Sequence, residues 1–280
     1  MRRIEVDRIT EAVAHLATES NYRLDGDYLA TLRRALDEED SPDALPVLRD
    51  LMENAGLAAE GGAPLCQDTG VAVVFLELGQ EVNLVGGDLR GAVDEGVRRG
   101  YRQGYLRNSV VRDPLLRENT GDNTPAVLHV DMVPGDGLTI WFLPKGAGSE
   151  NMSRSAMLRP ADGRRGVMDF VVDAVRLAGA SACPPLVVGV GIGGTFDMAP
   201  LLAKKALLRP SGSANPAEHI AALERDMLAE VNRLGIGAGG FGGRTTALAV
   251  NVLTQPCHIA SLPVAVNLQC HAHRVGKIEV

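Results

Sequence analysis

Residues 126–143 read AVLHVDMV-PGDG-LTIWFL, two short apolar runs joined by Pro134-Gly135-Asp136-Gly137. Two such runs around a Pro/Gly turn are the pattern of an antiparallel hairpin. Outward from them, helical and strand patterns alternate without a regular βαβ rhythm. VAVVFLEL (71–78), LVVGVG (186–191), 245–253 and 262–269 read as strands. Helices are expected at 28–36, from Ser41-Pro42 to about 55, at 88–103, 166–179 and 196–208, and from Asn215-Pro216 to Leu234. Ile4, Ile9, Val13 and Leu16 place a first helix over 4–19. The fold class expected is α+β, with mixed β-sheet containing an antiparallel hairpin and surrounded by helices. No internal repeat or long linker divides the chain, so residues 1–280 are treated as one unit, with a helical lead-in over about 1–60 and a core over 61–280.

The 280 residues are 45% hydrophobic but only 4% aromatic, so Ala, Val, Leu and Ile must fill most of the interior. The formal charge is -7, and no basic block marks a nucleic-acid or membrane surface. No apolar segment follows the initial Met1-Arg2-Arg3-Ile4, and no run is long enough to span a bilayer. The expectation is a cytoplasmic protein whose four cysteines are thiols or metal ligands, not disulfides.

Those cysteines are Cys66, Cys183, Cys257 and Cys270. There is no CxxC pair, so spacing alone defines no metal site. Their surroundings say more. Cys66 lies in PLCQDTG (64–70), Cys183 in ACPP (182–185) and Cys270 in CHAHR (270–274), all at the ends of expected elements. On chemistry alone, zinc held by these thiols with His271 or His273 is a live competitor.

Gly189-Val190-Gly191-Ile192-Gly193-Gly194 matches GxGxxG between an expected strand and helix, the context of a dinucleotide fold. No acidic residue follows at the usual distance, but Arg209 could suit a 2′-phosphate, which keeps an NADP-binding oxidoreductase as an alternative. A second glycine run spans Gly235–Gly243, and KGAGSEN (145–151) forms a third small-residue loop. Successive N–H groups in such loops can cradle anions.

Taken together, PLCQDTG (64–70), YLRNSVVRDP (105–114), NTGDNTPAVLH (119–129), PKGAGSENMS (144–153), ACPP (182–185), the two long glycine runs, HIASLPVAVNLQC (258–270) and CHAHR (270–274) resemble the class I, iron–sulfur-dependent fumarate hydratases, in their N-terminal or alpha-subunit form. The resemblance implies a [4Fe-4S] cluster on Cys66, Cys183 and Cys270, with one iron left open, and Cys257 outside the pattern. It implies Asp68 as an acid–base group, Gln67, Arg107, Gly148 and His258 as substrate contacts, and His271 and His273 around the cluster. An isolated Asp68 would equally cap its own loop. The reaction implied is interconversion of fumarate plus water with (S)-malate. A separate beta subunit would complete the site in an alpha–beta hetero-oligomer. Tartrate dehydratase and mesaconase alpha subunits share this framework and are the alternatives within it. A non-catalytic metal-binding scaffold is the alternative outside it. The KGAGSEN and CHAHR segments lean towards the fumarate enzymes.

Overall fold

In the computed structural model, which describes residues 1–280, the strands are β1 (Arg2–Glu5), β2 (Val71–Gly79), β3 (Val82–Val85), β4 (Val127–Val133), β5 (Leu138–Lys145), β6 (Arg154–Leu158), β7 (Leu186–Gly193), β8 (Ala247–Gln255), β9 (Leu262–Gln269) and β10 (Gly276–Glu279). The helices are α1 (Val6–Tyr22), α2 (Gly26–Glu38), α3 (Ala44–Ala59), α4 (Leu89–Gln103), α5 (Ala147–Glu150), α6 (Gly163–Ala178), α7 (Met198–Ala206) and α8 (Glu218–Asn232). The class is α+β, with parallel and antiparallel pairing in both four-stranded sheets. Contacts divide the chain into two units, Met1–Asp25 with Ala55–Ala147 and Arg274–Val280, and Gly26–Asn54 with Gly148–His273. This division does not follow the lead-in boundary read near residue 60, because α2 and most of α3 belong to the second unit.

The first unit is built on a sheet of order β10-β5-β2-β4. Here the expected 126–143 hairpin is corrected. β4 and β5 do not pair with each other; β2 lies between them, parallel to β4 and antiparallel to β5. The reason is the composition of β2, whose residues Ala72–Leu76 are all buried. A strand that apolar has to be central, with both edges paired. The PGDG turn instead meets the end of β2: Gly79 N donates to Gly137 O and Glu81 N to Gly135 O. α1 and α4 cover the sheet, contributing Ile9, Val13, Leu16, Val93, Val97 and Tyr101 to a core with Val74, Ile140 and Phe142. The two helices approach closely because Gly96 and Gly100 face α1. A Cβ on Gly96 would lie 2.7 Å from Thr10 O. Ile4, read as helical, belongs to β1, which pairs with β3; the helix begins at Val6.

The second unit has a sheet of order β6-β9-β7-β8. Val264, Val266 and Leu268 of β9 join Val188, Val190, Val250 and Val252 in the core beneath α6 and α8. The opposite face packs Ala265 against Ala199 and Ala203 of α7. α8 starts at Glu218, later than the Asn215-Pro216 reading, because Asn215 Oδ1 accepts from Ala217 N and holds a turn ahead of the helix.

Candidate active site

In the first unit, the Cys66–Gly70 loop feeds β2 and is the hub of a polar network. Thr69 is buried; its Oγ accepts from Arg107 N at 2.9 Å and donates to Arg107 O at 3.0 Å. This pair ties the backbone of the 105–109 segment to the cysteine loop. Tyr101 donates from its hydroxyl to Thr69 O and Gly70 O, both at 2.9 Å. Burial raises its pKa, with Asp68 also raising it and Arg274 and Asn123 lowering it, so the phenol stays a donor. Asn123, fully buried at φ 60°, donates to Gly70 O and accepts from Ser109 N. Asparagine tolerates this left-handed backbone better than most side chains.

Asp68 uses both carboxylate oxygens. Oδ1 accepts from Gly70 N at 3.0 Å, and Oδ2 from Ala147 N at 2.7 Å. The first bond is the loop cap weighed from sequence; the second joins this loop to the KGAG segment. Arg274 is 1% exposed and donates to Asp68 O and Asn21 Oδ1, each at 2.8 Å. Gly146 is wedged here: an added Cβ would lie 3.1 Å from Asp68 Oδ2 and 3.5 Å from an Arg274 guanidinium nitrogen. Gln67 and Arg107 are exposed, and neither side chain has a partner in the protein. The first unit therefore ties the Arg107 segment to the Cys66–Gly70 loop, leaving the Gln67 amide and the Arg107 guanidinium exposed and without protein partners. That set can bind and orient a small carboxylate.

In the second unit, Cys183 and Cys270 meet at one end of the sheet. Cys183 is exposed and left-handed, at φ 55°. Few non-glycine residues adopt this conformation, and its neighbours hold it. Cys183 N donates to Ala180 O, His271 N to Cys183 O at 3.0 Å, and Gly239 N to Pro184 O at 2.8 Å. The second glycine run thus serves the Cys183 loop. It folds so tightly that a Cβ on Gly237 would lie 1.4 Å from Gly242 O. Gly148 also belongs here, since a Cβ on it would touch Ser181 O at 3.5 Å. From α2, buried Tyr28 donates to His271 O at 2.6 Å, and its ring lies 5.1 Å from that of His273. Burial, reinforced by the charge on Cys270, raises the Tyr28 phenol well above its ordinary pKa. None of the four cysteines is in a disulfide.

His258 is not among these residues. It lies exposed in the loop from β8 to β9, with Nδ1 accepting from Ala260 N. β9 runs antiparallel to β7, so this loop and Cys270 are at opposite ends of an eight-residue strand, roughly 25 Å apart at strand rise. Cys257 shares the His258 loop, with its thiol on Ser261 O.

The dinucleotide-binding alternative loses its physical basis. Gly189 and Gly191 sit inside β7, and α7 begins only at Met198. An added Cβ would lie 2.1 Å from Ala203 O or 2.0 Å from Ala199 O, so these glycines serve close packing of α7 on the sheet and form no phosphate loop. Arg209 is committed to Glu224, with bonds of 2.6 and 2.8 Å to its two oxygens, and cannot read a 2′-phosphate.

Tyr28, Tyr101, Thr69, Asn123 and Arg274 are the residues that sequence reasoning did not single out. Only Asn123, in the Gly121-Asp122-Asn123 turn, carries a local signal. The tyrosines and Thr69 act through contacts distant in sequence.

Each unit thus presents a cysteine-bearing loop cross-tied by polar bonds, and in the first unit an exposed amide and guanidinium flank that loop. The chain belongs to the fumarate hydratase (Fumerase) family, a hydro-lyase family, whose model matches residues 10–279. Among its relatives is a Methanocaldococcus jannaschii protein provisionally named L(+)-tartrate dehydratase subunit alpha. That protein is 42% identical over 275 residues, covering 95% of each chain. An Escherichia coli protein named L(+)-tartrate dehydratase subunit alpha is 33% identical over 98% of this chain and 91% of its own. A Shigella boydii protein of the same name is 32% identical over the same shares. No helix is long and apolar enough to cross a membrane.

Proposed function

We propose that this chain is the alpha subunit of a hydro-lyase that removes water from a C4 2-hydroxydicarboxylate, working with a beta subunit and a [4Fe-4S] cluster on Cys66, Cys183 and Cys270. The observation that carries the reading is that, within the first unit, one bonded network ties Asp68 and the backbone of Arg107 to the Cys66–Gly70 loop, with the neighbouring Gln67 amide and the Arg107 guanidinium left without protein partners. The relatives' names support L(+)-tartrate as the substrate. A second reading, (S)-malate and fumarate, is supported by the resemblance of the 145–151 loop to that of the fumarate enzymes.

The donor set suits such a cluster. Thiolates are the soft ligands that iron–sulfur groups take. Cys183 is exposed in a backbone conformation held by its neighbours, and its carbonyl is bonded to the residue after Cys270. When bound, the group contributes Lewis acidity, which eases departure of the hydroxyl. This chain's own residues bind the substrate and move a proton. Arg107 pairs with a substrate carboxylate, and Gln67 orients it through its amide. Asp68 is fixed by two N–H bonds and retains lone pairs on its carboxylate; it takes or returns a proton as water leaves or adds. The partner supplies the remaining cations and completes the site.

The test is to reconstitute the chain anaerobically with iron and sulfide, add the beta subunit, and assay L-tartrate, (S)-malate and fumarate side by side. Turnover should require both subunits and favour one C4 substrate. Turnover of none of them by an iron-loaded complex would sink the hydro-lyase assignment. Full turnover by the alpha chain alone would remove the need for the partner.

A further inference from the structure

β9 carries a row of polar side chains on the α7 face of the second unit. Ala265, Asn267 and Gln269 alternate with the buried Val264, Val266 and Leu268 of the opposite face. Asn267 is largely committed: its Nδ2 donates to Glu150 Oε2 at 2.8 Å and Ser153 Oγ at 2.9 Å. Glu150 in turn pairs with Lys204. Gln269 is the next residue of this row, immediately before Cys270. It is 0% exposed, and neither its Oε1 nor its Nε2 has a partner in the protein. Burying a carboxamide with both ends unsatisfied is unfavourable, and such a group in a native interior calls for an explanation. An apolar residue there would have served the fold better.

From this we infer that Gln269 is a positioning residue for the sulfur-liganded group anchored at Cys183 and Cys270. Its buried amide N–H donates to the sulfur ligands of that group and helps retain it. The inference rests on the cluster reading proposed above. Hydrogen bonds from around a metal centre commonly control both its retention and its reduction potential.

A purely structural role predicts the opposite pattern of effects, which makes the two separable. Gln269→Leu and Gln269→Glu are compared with wild type in the full chain. Melting temperature is measured on the metal-free protein. Iron per chain, rate of iron loss to a chelator and cluster midpoint potential are measured after anaerobic reconstitution. The metal-free Q269L protein should melt at or above the wild-type temperature, because an unsatisfied polar group has been removed. Its reconstituted form should lose iron about tenfold faster. Q269E, which places an acceptor where the donor was, should lose iron at least as fast and shift the potential. If wild type takes up iron and Q269L retains it equally well at an unchanged potential, the inference fails while the cluster reading stands. If metal-free Q269L melts several degrees below wild type, the carboxamide serves the fold and the inference fails. If wild type itself takes up no iron under these conditions, the cluster reading and the inference fall together.

Discussion

Replacing Asp68 with asparagine keeps the side chain's shape but removes one of its two acceptors. Asp68 Oδ1 and Oδ2 each receive a backbone N–H, from Gly70 and Ala147. An amide oxygen can keep one of these bonds, while the NH2 group turns two donors against the other. One of the two bonds is part-buried and the other exposed, so about 1–2 kcal/mol of stability should disappear. In a protein of this size that lowers the melting temperature by about 2–4 °C. The effect on turnover separates two roles. A loop displaced at that cost slows the reaction by about 5- to 30-fold. Loss of a proton-transfer group slows it by about 10²- to 10⁴-fold. In the reconstituted alpha–beta complex, Asp68→Asn should fall in the larger range with iron content unchanged. The melt and kcat are measured on the same preparation. A D68N complex with wild-type melting and wild-type kcat would refute both the bonding argument and the acid–base assignment; a modest melt shift with less than a 30-fold loss would leave Asp68 a loop clamp only.

Gly191→Ala should destabilise the protein by at least about 2 kcal/mol in urea unfolding, since its Cβ would lie 2.0 Å from Ala199 O and α7 would have to move; an unchanged midpoint would mean that the packing argument is wrong. Asp122 gives a pH prediction. Burial raises its pKa, but the hydroxyl and N–H of Thr124 and the Arg98 guanidinium outweigh burial and hold it at about 2. A carboxyl depressed in the folded state stabilises fully above its unfolded value, and this contribution is lost as pH falls towards about 2. Thermal melts should therefore show Asp122→Asn flattening the acid limb between about pH 4 and 2, with little further change at pH 7 beyond a constant offset.

How far the fold was legible depends on the range of the interactions involved. β2 and β7 are visible in sequence because their apolar runs are continuous, β9 because its apolar residues recur at every second position, and the helices over 88–103 and 166–179 because their periodicity is local. The strand pairing is not. Val127–Val133 and Leu138–Lys145 flank a strong turn, yet each pairs with a strand more than forty residues earlier in the chain. β1, β3 and β10 are four residues each, too short for a period to register. Gly189 and Gly191 match a phosphate-loop pattern because helix packing and phosphate approach both exclude a Cβ; only the position of α7 tells them apart. Around the candidate site, the motifs single out the cysteine loops and Arg107 from sequence alone. They could not reveal that Thr69 clamps Arg107, that Tyr28 holds His271, or that Gln269 is buried without a partner. Each depends on which distant backbone lies opposite. His258 shows the reverse: resemblance groups it with the site residues, whereas its place in the fold is the far end of β9 from Cys270.

The two-faced alternation of β9 also acts as a ruler. Val264, Val266 and Leu268 fit only one side of the sheet, so the strand cannot slide by one residue without driving Asn267 and Gln269 into hydrocarbon. Cys270 is the next residue along, so oil-packing several residues away meters where its sulfur ends up. A substitution deep among those valines, far from any ligand, would be felt first as a misplaced thiol.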